Sequence, residues 1–146
     1  MRRLRAVLSD WLRLLHFKTP PMPLGRRGER AAARYLRRLG YRILVHSDRS
    51  KPGEIDLVAV DGRTVVFVEV KTRNSDETGH PFEAVDDEKQ RRLTRLALAY
   101  LKRHHLMEYP ARFDVVSVVW PAGRRRPLIE HFPNAFEAAG RWGLYS

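Results

Sequence analysis

The segment from Gly53 to Arg73 constrains the chain more than any other. Two β-rich runs, 54–60 and 64–72, flank Asp61-Gly62, a dipeptide that suits a tight hairpin turn. Side chains alternate faces along a strand, so Glu54, Asp56, Val58 and Val60 share one side of the first run. Val65, Phe67, Glu69 and Lys71 share one side of the second. A four-residue loop pairs position 56 with 69, and a two-residue loop pairs it with 67. Directly paired residues point the same way, so either register brings Asp56 and Glu69 to one face. An odd-numbered loop breaks this unless a bulge restores it. The other face carries Ile55, Leu57 and Ala59 against Val66, Val68 and Val70, which is core.

Three acids and Lys71 therefore crowd one end of a face that turns apolar at its other end. Like charges brought together repel, and burying them is costly unless something neutralises them. Two arrangements satisfy this. One is a divalent cation, with Asp56 and Glu69 as ligands and the Val70 carbonyl beside them; the other is an internal salt-bridge network with Lys71. Mg²⁺ takes oxygen ligands, commonly one or two carboxylates with water and phosphate. In the first arrangement Lys71 would orient or help deprotonate a water and offset phosphate charge. The chain of 146 residues has no cysteine, which excludes disulfides and thiolate metal sites and suits a cytoplasmic location.

The remainder reads as an appendage, 1–24, and a single domain, 25–146. In the appendage Leu4, Leu8, Trp11, Leu12 and Leu15 recur at helical spacing, and the proline-rich stretch 19–23 ends that pattern. Residues 26–39 form an expected helix closed by Gly40, with Ala32, Ala33, Leu36 and Leu39 as its apolar stripe and Glu29 at the head of that stripe. Arg27, Arg30, Arg34, Arg37 and Arg38 take its other faces. A strand over 41–47, the hairpin, a loop over 74–85, a helix opened by Asp86-Asp87-Glu88 and a strand over 112–120 follow. Arg124-Arg125-Arg126 reads as a turn and 134–140 as a short helix. Asp114, in an otherwise apolar strand, is expected to cap loop amides rather than bind a ligand. The order α-β-β-β-α-β implies an α/β fold, a mixed sheet flanked by helices. No apolar run is long enough to span a bilayer.

The net charge of +11 is concentrated. Residues 1–53 hold 14 Lys and Arg against only Asp10, Glu29 and Asp48, while the rest of the chain balances. Arginine's planar fork suits phosphate, so a polyanionic partner is indicated, nucleic acid ahead of anionic lipid.

The two hairpin motifs, Gly53-Glu54-Ile55-Asp56-Leu57 and Phe67-Val68-Glu69-Val70-Lys71-Thr72-Arg73, resemble the PD-(D/E)XK nuclease signature. Adding Gly28-Glu29-x-x-Ala32-Ala33-x-Tyr35-Leu36, Glu83-Ala84-Val85-Asp86, Arg92-Leu93 and Arg112-Phe113-Asp114-Val115-Val116, the chain resembles the YraN family, also called UPF0102, over about residues 25–140. The resemblance implies a restriction-endonuclease-like αβββαβ core and hydrolysis of DNA phosphodiesters, branched intermediates among them, with Mg²⁺ or Mn²⁺. It implies metal-binding roles for Asp56 and Glu69, a catalytic role for Lys71, and a further acid, Glu29, from the first helix. Arg73, Lys89 and Gln90 join Arg27, Arg30, Arg34 and Arg37 as expected contacts to nucleic acid. Ile55-Asp56 departs from the family's proline-aspartate pair. The alternative is a nucleic-acid-binding module that keeps the fold with little activity. Branch-cutting nucleases of this fold are often homodimers, though no residue here marks an interface.

Overall fold

The computed structural model describes residues 20–47, 54–75 and 85–139; the N-terminal amphipathic stretch and most of the 74–85 loop lie outside them. The elements are α1 (Leu24–Arg38), β1 (Arg42–His46), β2 (Leu57–Asp61), β3 (Thr64–Asn74), α2 (Asp87–Arg103), β4 (Ala111–Trp120) and β5 (Leu128–Phe136). They build an α/β fold around one five-stranded mixed sheet, ordered β1-β2-β3-β4-β5. β1, β2 and β3 form an antiparallel meander. β3 and β4 are parallel, which requires a crossover, and α2 supplies it.

The hairpin turn has two residues, Gly62 and Arg63, between paired Asp61 and Thr64. Gly62 sits at φ +60°, a left-handed conformation that a tight turn asks of its first central residue and that glycine takes without strain. Although the loop is the shorter of the two considered, the register is the 56–69 one. β2 runs one residue further than expected, to Asp61, and Leu57 pairs with Val68, the register that a 56–69 pair would continue, although the ladder itself ends at Leu57.

Both faces of the sheet are covered. Leu57, Ala59, Val66, Val68 and Val70 pack with Ala31, Ala32, Ala33 and Leu36 of α1. Val58, Val65, Phe67 and Val115 pack with Leu93, Ala97 and Leu101 of α2. Strand parity thus assigns one helix to each layer. It holds only from Leu57 onward: Ile55, expected beside Leu57, packs in the α2 layer because it precedes the strand. Gly28 lets α1 approach β3 closely, since a Cβ there would lie 1.7 Å from the Thr72 hydroxyl oxygen.

Two expectations are corrected. Leu39 is 53 % exposed, because the helix ends at Arg38 and Leu39 is its C-cap; Ala31 takes the buried place instead. The short helix expected over 134–140 is not formed over its described residues, 134–139; a fifth strand that the sequence does not indicate, β5, extends to Phe136. Pro133 cannot donate to a ladder, but β5 is an edge strand, where that is tolerated. Between paired Phe113–Phe136 and Val115–Phe132 the β5 strand bulges, with Asn134 at φ +50°. Arg124-Arg125-Arg126 lie in a turn region, as expected, and it leads from β4 into β5. Among the described residues no helix is long and apolar enough to cross a membrane.

Candidate active site

Asp56 lies one residue ahead of β2, and its position is fixed from both sides. Its carbonyl accepts the Ser47 amide at 2.9 Å, holding it to the end of β1. Its carboxylate Oδ2 accepts the Val70 amide at 2.8 Å, holding it across to β3. Both Asp56 and Glu69 are buried, at 8 % and 7 % exposure, so the two acids occupy a part of the molecule where uncompensated charge is costly.

The compensation comes from two lysines. Lys71 Nζ lies 3.2 Å from Glu69 Oε1, from the same face of β3. Lys89, in the first turn of α2, reaches the same oxygen of Glu69. Burial and the neighbouring Lys89 ammonium push the Lys71 pKa below its ordinary 10.5, with Glu69 only partly offsetting them. Burial alone would lower Lys89 as well, but its bond to Glu69 and the field of Glu69 and Asp56 raise its pKa. Of two ammonium groups sharing one carboxylate, Lys71 is therefore the readier to give up a proton. Lys89 is the charge that both acids hold.

The other expected residues sit on several elements. Glu29 is buried at 3 % exposure in α1, the helix that packs on the Val70 side of β3. Among the described residues no group of three His, Asp or Glu side chains is arranged to hold a metal ion. Gln90 donates its side-chain amide to the Val85 carbonyl at 3.0 Å, which closes the start of α2 together with Asp86, the N-cap that accepts the Lys89 amide. Arg73 is half-buried near the end of β3. On α1, Arg27 stacks over Trp120, Arg30 and Arg34 line a groove, and Arg37 contacts His46 at 3.3 Å. Asp114 is fully buried and accepts the Asn134 amide, as expected of an acid that caps backbone, and it also binds Arg112 and His131.

Sequence reasoning did not anticipate that Lys89 reaches Glu69. Its only sequence signal is its position three residues after the helix N-cap, and that fixes no facing partner 20 residues away.

The donor chemistry fits a hard divalent cation. Asp56 and Glu69 offer carboxylate oxygens on one sheet end, and the positive charge gathered there by two lysines is what such an ion would otherwise supply.

The description "Uncharacterised protein family UPF0102" matches residues 28–118, a stretch that contains Glu29, Asp56, Glu69, Lys71 and Lys89. A UPF0102 protein of Rhodopirellula baltica is 51 % identical over 125 residues, covering 84 % of this chain and 75 % of its own. One from Geobacter metallireducens is 48 % identical over 116 residues, covering 80 % and 93 %, and one from Chlorobium phaeobacteroides is 46 % identical over 120, covering 80 % and 95 %. With the matched stretch running from the first helix into β4, the chain belongs to the UPF0102 family.

Proposed function

We propose that the protein is a metal-dependent endonuclease that hydrolyses phosphodiester bonds in DNA. The observation that carries this reading is the convergence of two buried carboxylates, Asp56 and Glu69, with Lys71, whose pKa is depressed, on one sheet end. Asp56 and Glu69 would hold Mg²⁺ or Mn²⁺, which supplies charge neutralisation at the scissile phosphate and a more acidic water. Lys71 is placed to orient that water or to take up its proton, while Glu69 fixes the lysine's direction. Asp56, pinned by the Val70 amide, keeps its carboxylate from rotating away from Glu69. A cytoplasmic setting suits a chain without cysteine that acts on DNA. The test is incubation with branched, nicked and single-stranded DNA, with Mg²⁺ or Mn²⁺ and with chelator. Cutting that chelator stops is the expected result; no cutting of any substrate defeats the reading.

A second reading, a nucleic-acid-binding module with the same fold, is favoured by one observation: Lys89 already neutralises Glu69. The two readings diverge in how Lys89 relates to a metal. If the lysine stands in for a cation, Lys89→Met binds Mn²⁺ more tightly than wild type. Two unit charges 4 Å apart interact by about 1 kcal/mol in water and about 4 at a protein surface, and a divalent ion doubles this, so a tightening of at least about tenfold is expected in calorimetry. No binding by either protein supports the module instead.

A further inference from the structure

On the layer of α1, away from the acids, α1 and the β4–β5 connection enclose a groove of about 790 Å³. Arg27, Arg30, Arg34 and Arg38 line it from α1, and Arg125 and Arg126 from the connection. No acid is among the described residues that line it. Six like charges around one concavity repel one another, and an anionic occupant removes that repulsion.

The arrangement says which anion. Arg30, Arg34 and Arg38 follow one another at four-residue steps, about 6 Å apart along the helix axis. They form a file of cations and not a cage, so they match the repeating charge of a polymer better than one phosphate. At one end of the groove the Arg27 guanidinium lies 4.6 Å over the Trp120 ring. Aromatic rings and guanidinium planes are the surfaces on which unstacked bases lie.

We propose that this groove holds a single-stranded stretch of nucleic acid, with its phosphates along the arginines and a base against the Arg27–Trp120 stack. The inference rests on the nucleic-acid reading above and narrows its substrate to DNA with a single-stranded arm. Position decides between a single strand and a duplex. The groove and Glu69 lie on opposite layers of the sheet, so a chain engaging both must turn around the sheet's end. Trp120 pairs with Asn74, three residues beyond Lys71, or about 10 Å along β3. A single strand turns that corner; a duplex, stiff over about 150 base pairs, does not.

The experiment measures binding of a labelled oligothymidylate and of a duplex of equal length to the full chain, in chelator so that no cutting contributes. The single strand binds roughly tenfold more tightly than the duplex. Arg34→Glu and, separately, the pair Arg125→Ala and Arg126→Ala weaken it roughly tenfold, with wild-type melting curves, and the salt dependence falls by about one charge per arginine neutralised. Unchanged binding in both folded variants overturns the inference, as does equal affinity for duplex. Preferential capture by phosphatidylglycerol vesicles that Arg34→Glu abolishes also overturns it, in favour of a membrane surface. Because cutting plays no part, groove-dependent binding without cleavage removes the enzyme reading alone, and cleavage with groove-independent binding removes this inference alone.

Discussion

Asp56→Asn should abolish metal-dependent cleavage while leaving the protein's stability close to that of wild type. Asparagine keeps the shape of the side chain and an oxygen that can accept the Val70 amide, so the hydrogen bond that fixes position 56 survives. What it loses is a negative charge next to Glu69. In a catalytic site that loss removes a metal ligand and the charge stabilisation it brings, and a fall in rate of about 10³ is the scale expected. Mn²⁺ affinity in calorimetry should fall in parallel. In the folded protein the same loss relieves repulsion from Glu69 but also removes part of the field that holds Lys89, so the two effects oppose and the melting temperature changes little. A structural salt-bridge network gives the reverse pattern: the lysine field loses a partner, the protein melts earlier, and metal binding does not change. Measuring both quantities on one variant therefore separates a site from a scaffold. Stability that drops with cleavage intact would refute the assignment of Asp56.

Asp56 is legible in the sequence because side chains alternate along a strand. A hairpin placed around Asp61-Gly62 brings Asp56 and Glu69 to one face, and the observed pairing of Leu57 with Val68 is the register that a 56–69 pair would continue, although Asp56 itself lies one residue ahead of the strand. The layers followed from the same parity, with Val66, Val68 and Val70 facing one helix and Phe67 facing the other. The limits of the rule show at Ile55, which precedes the strand and packs against the wrong layer for its parity. Relations between elements distant in sequence were not legible. Lys89 meets Glu69 because α2 crosses back over the sheet after a long connection, and no local pattern encodes that angle. The groove arginines were visible singly on the helix wheel, but Arg125 and Arg126 join them only because β5 adds to the edge beyond β4. β5 is not indicated by the sequence, which suggests only a short helix over 134–140; there the strand bulges, and the Asn134 amide is taken up by a side chain of the neighbouring strand.

That side chain, Asp114, sets the second large expectation. Asp114→Ala should cost about 3–5 kcal/mol, the scale for removing one partner from a buried ionic cluster, and lower the melting temperature by roughly 10 °C. The carboxylate is wholly inaccessible and accepts Arg112 Nε at 2.9 Å, the Asn134 amide at 2.9 Å and lies 2.8 Å from His131 Nε2. Arg112 continues to the Tyr41 hydroxyl at 2.7 Å and Asp61 at 3.1 Å, so one acid ties β5 and β4 to the end of β2 and the start of β1. Its truncation leaves an imidazole and a backbone amide without their acceptor and takes from Arg112 its buried partner, leaving the guanidinium only Asp61 and Tyr41. The acid dependence follows from the sign of the pKa shift. Burial alone would raise the Asp114 pKa, but His131, Arg112 and the Asn134 amide outweigh it and hold the folded value below the ordinary 3.8. A depressed folded pKa means the contribution is complete above about pH 3.8 and is lost as pH falls below it toward the folded value. Wild type and Asp114→Ala should therefore differ most near neutrality and converge in acid, as read by denaturant unfolding across pH. A gap that stays constant through pH 3 to 4 (roughly the window the unfolded carboxylate defines) would mean that the cluster's stability comes from packing around Asp114 and not from its charge.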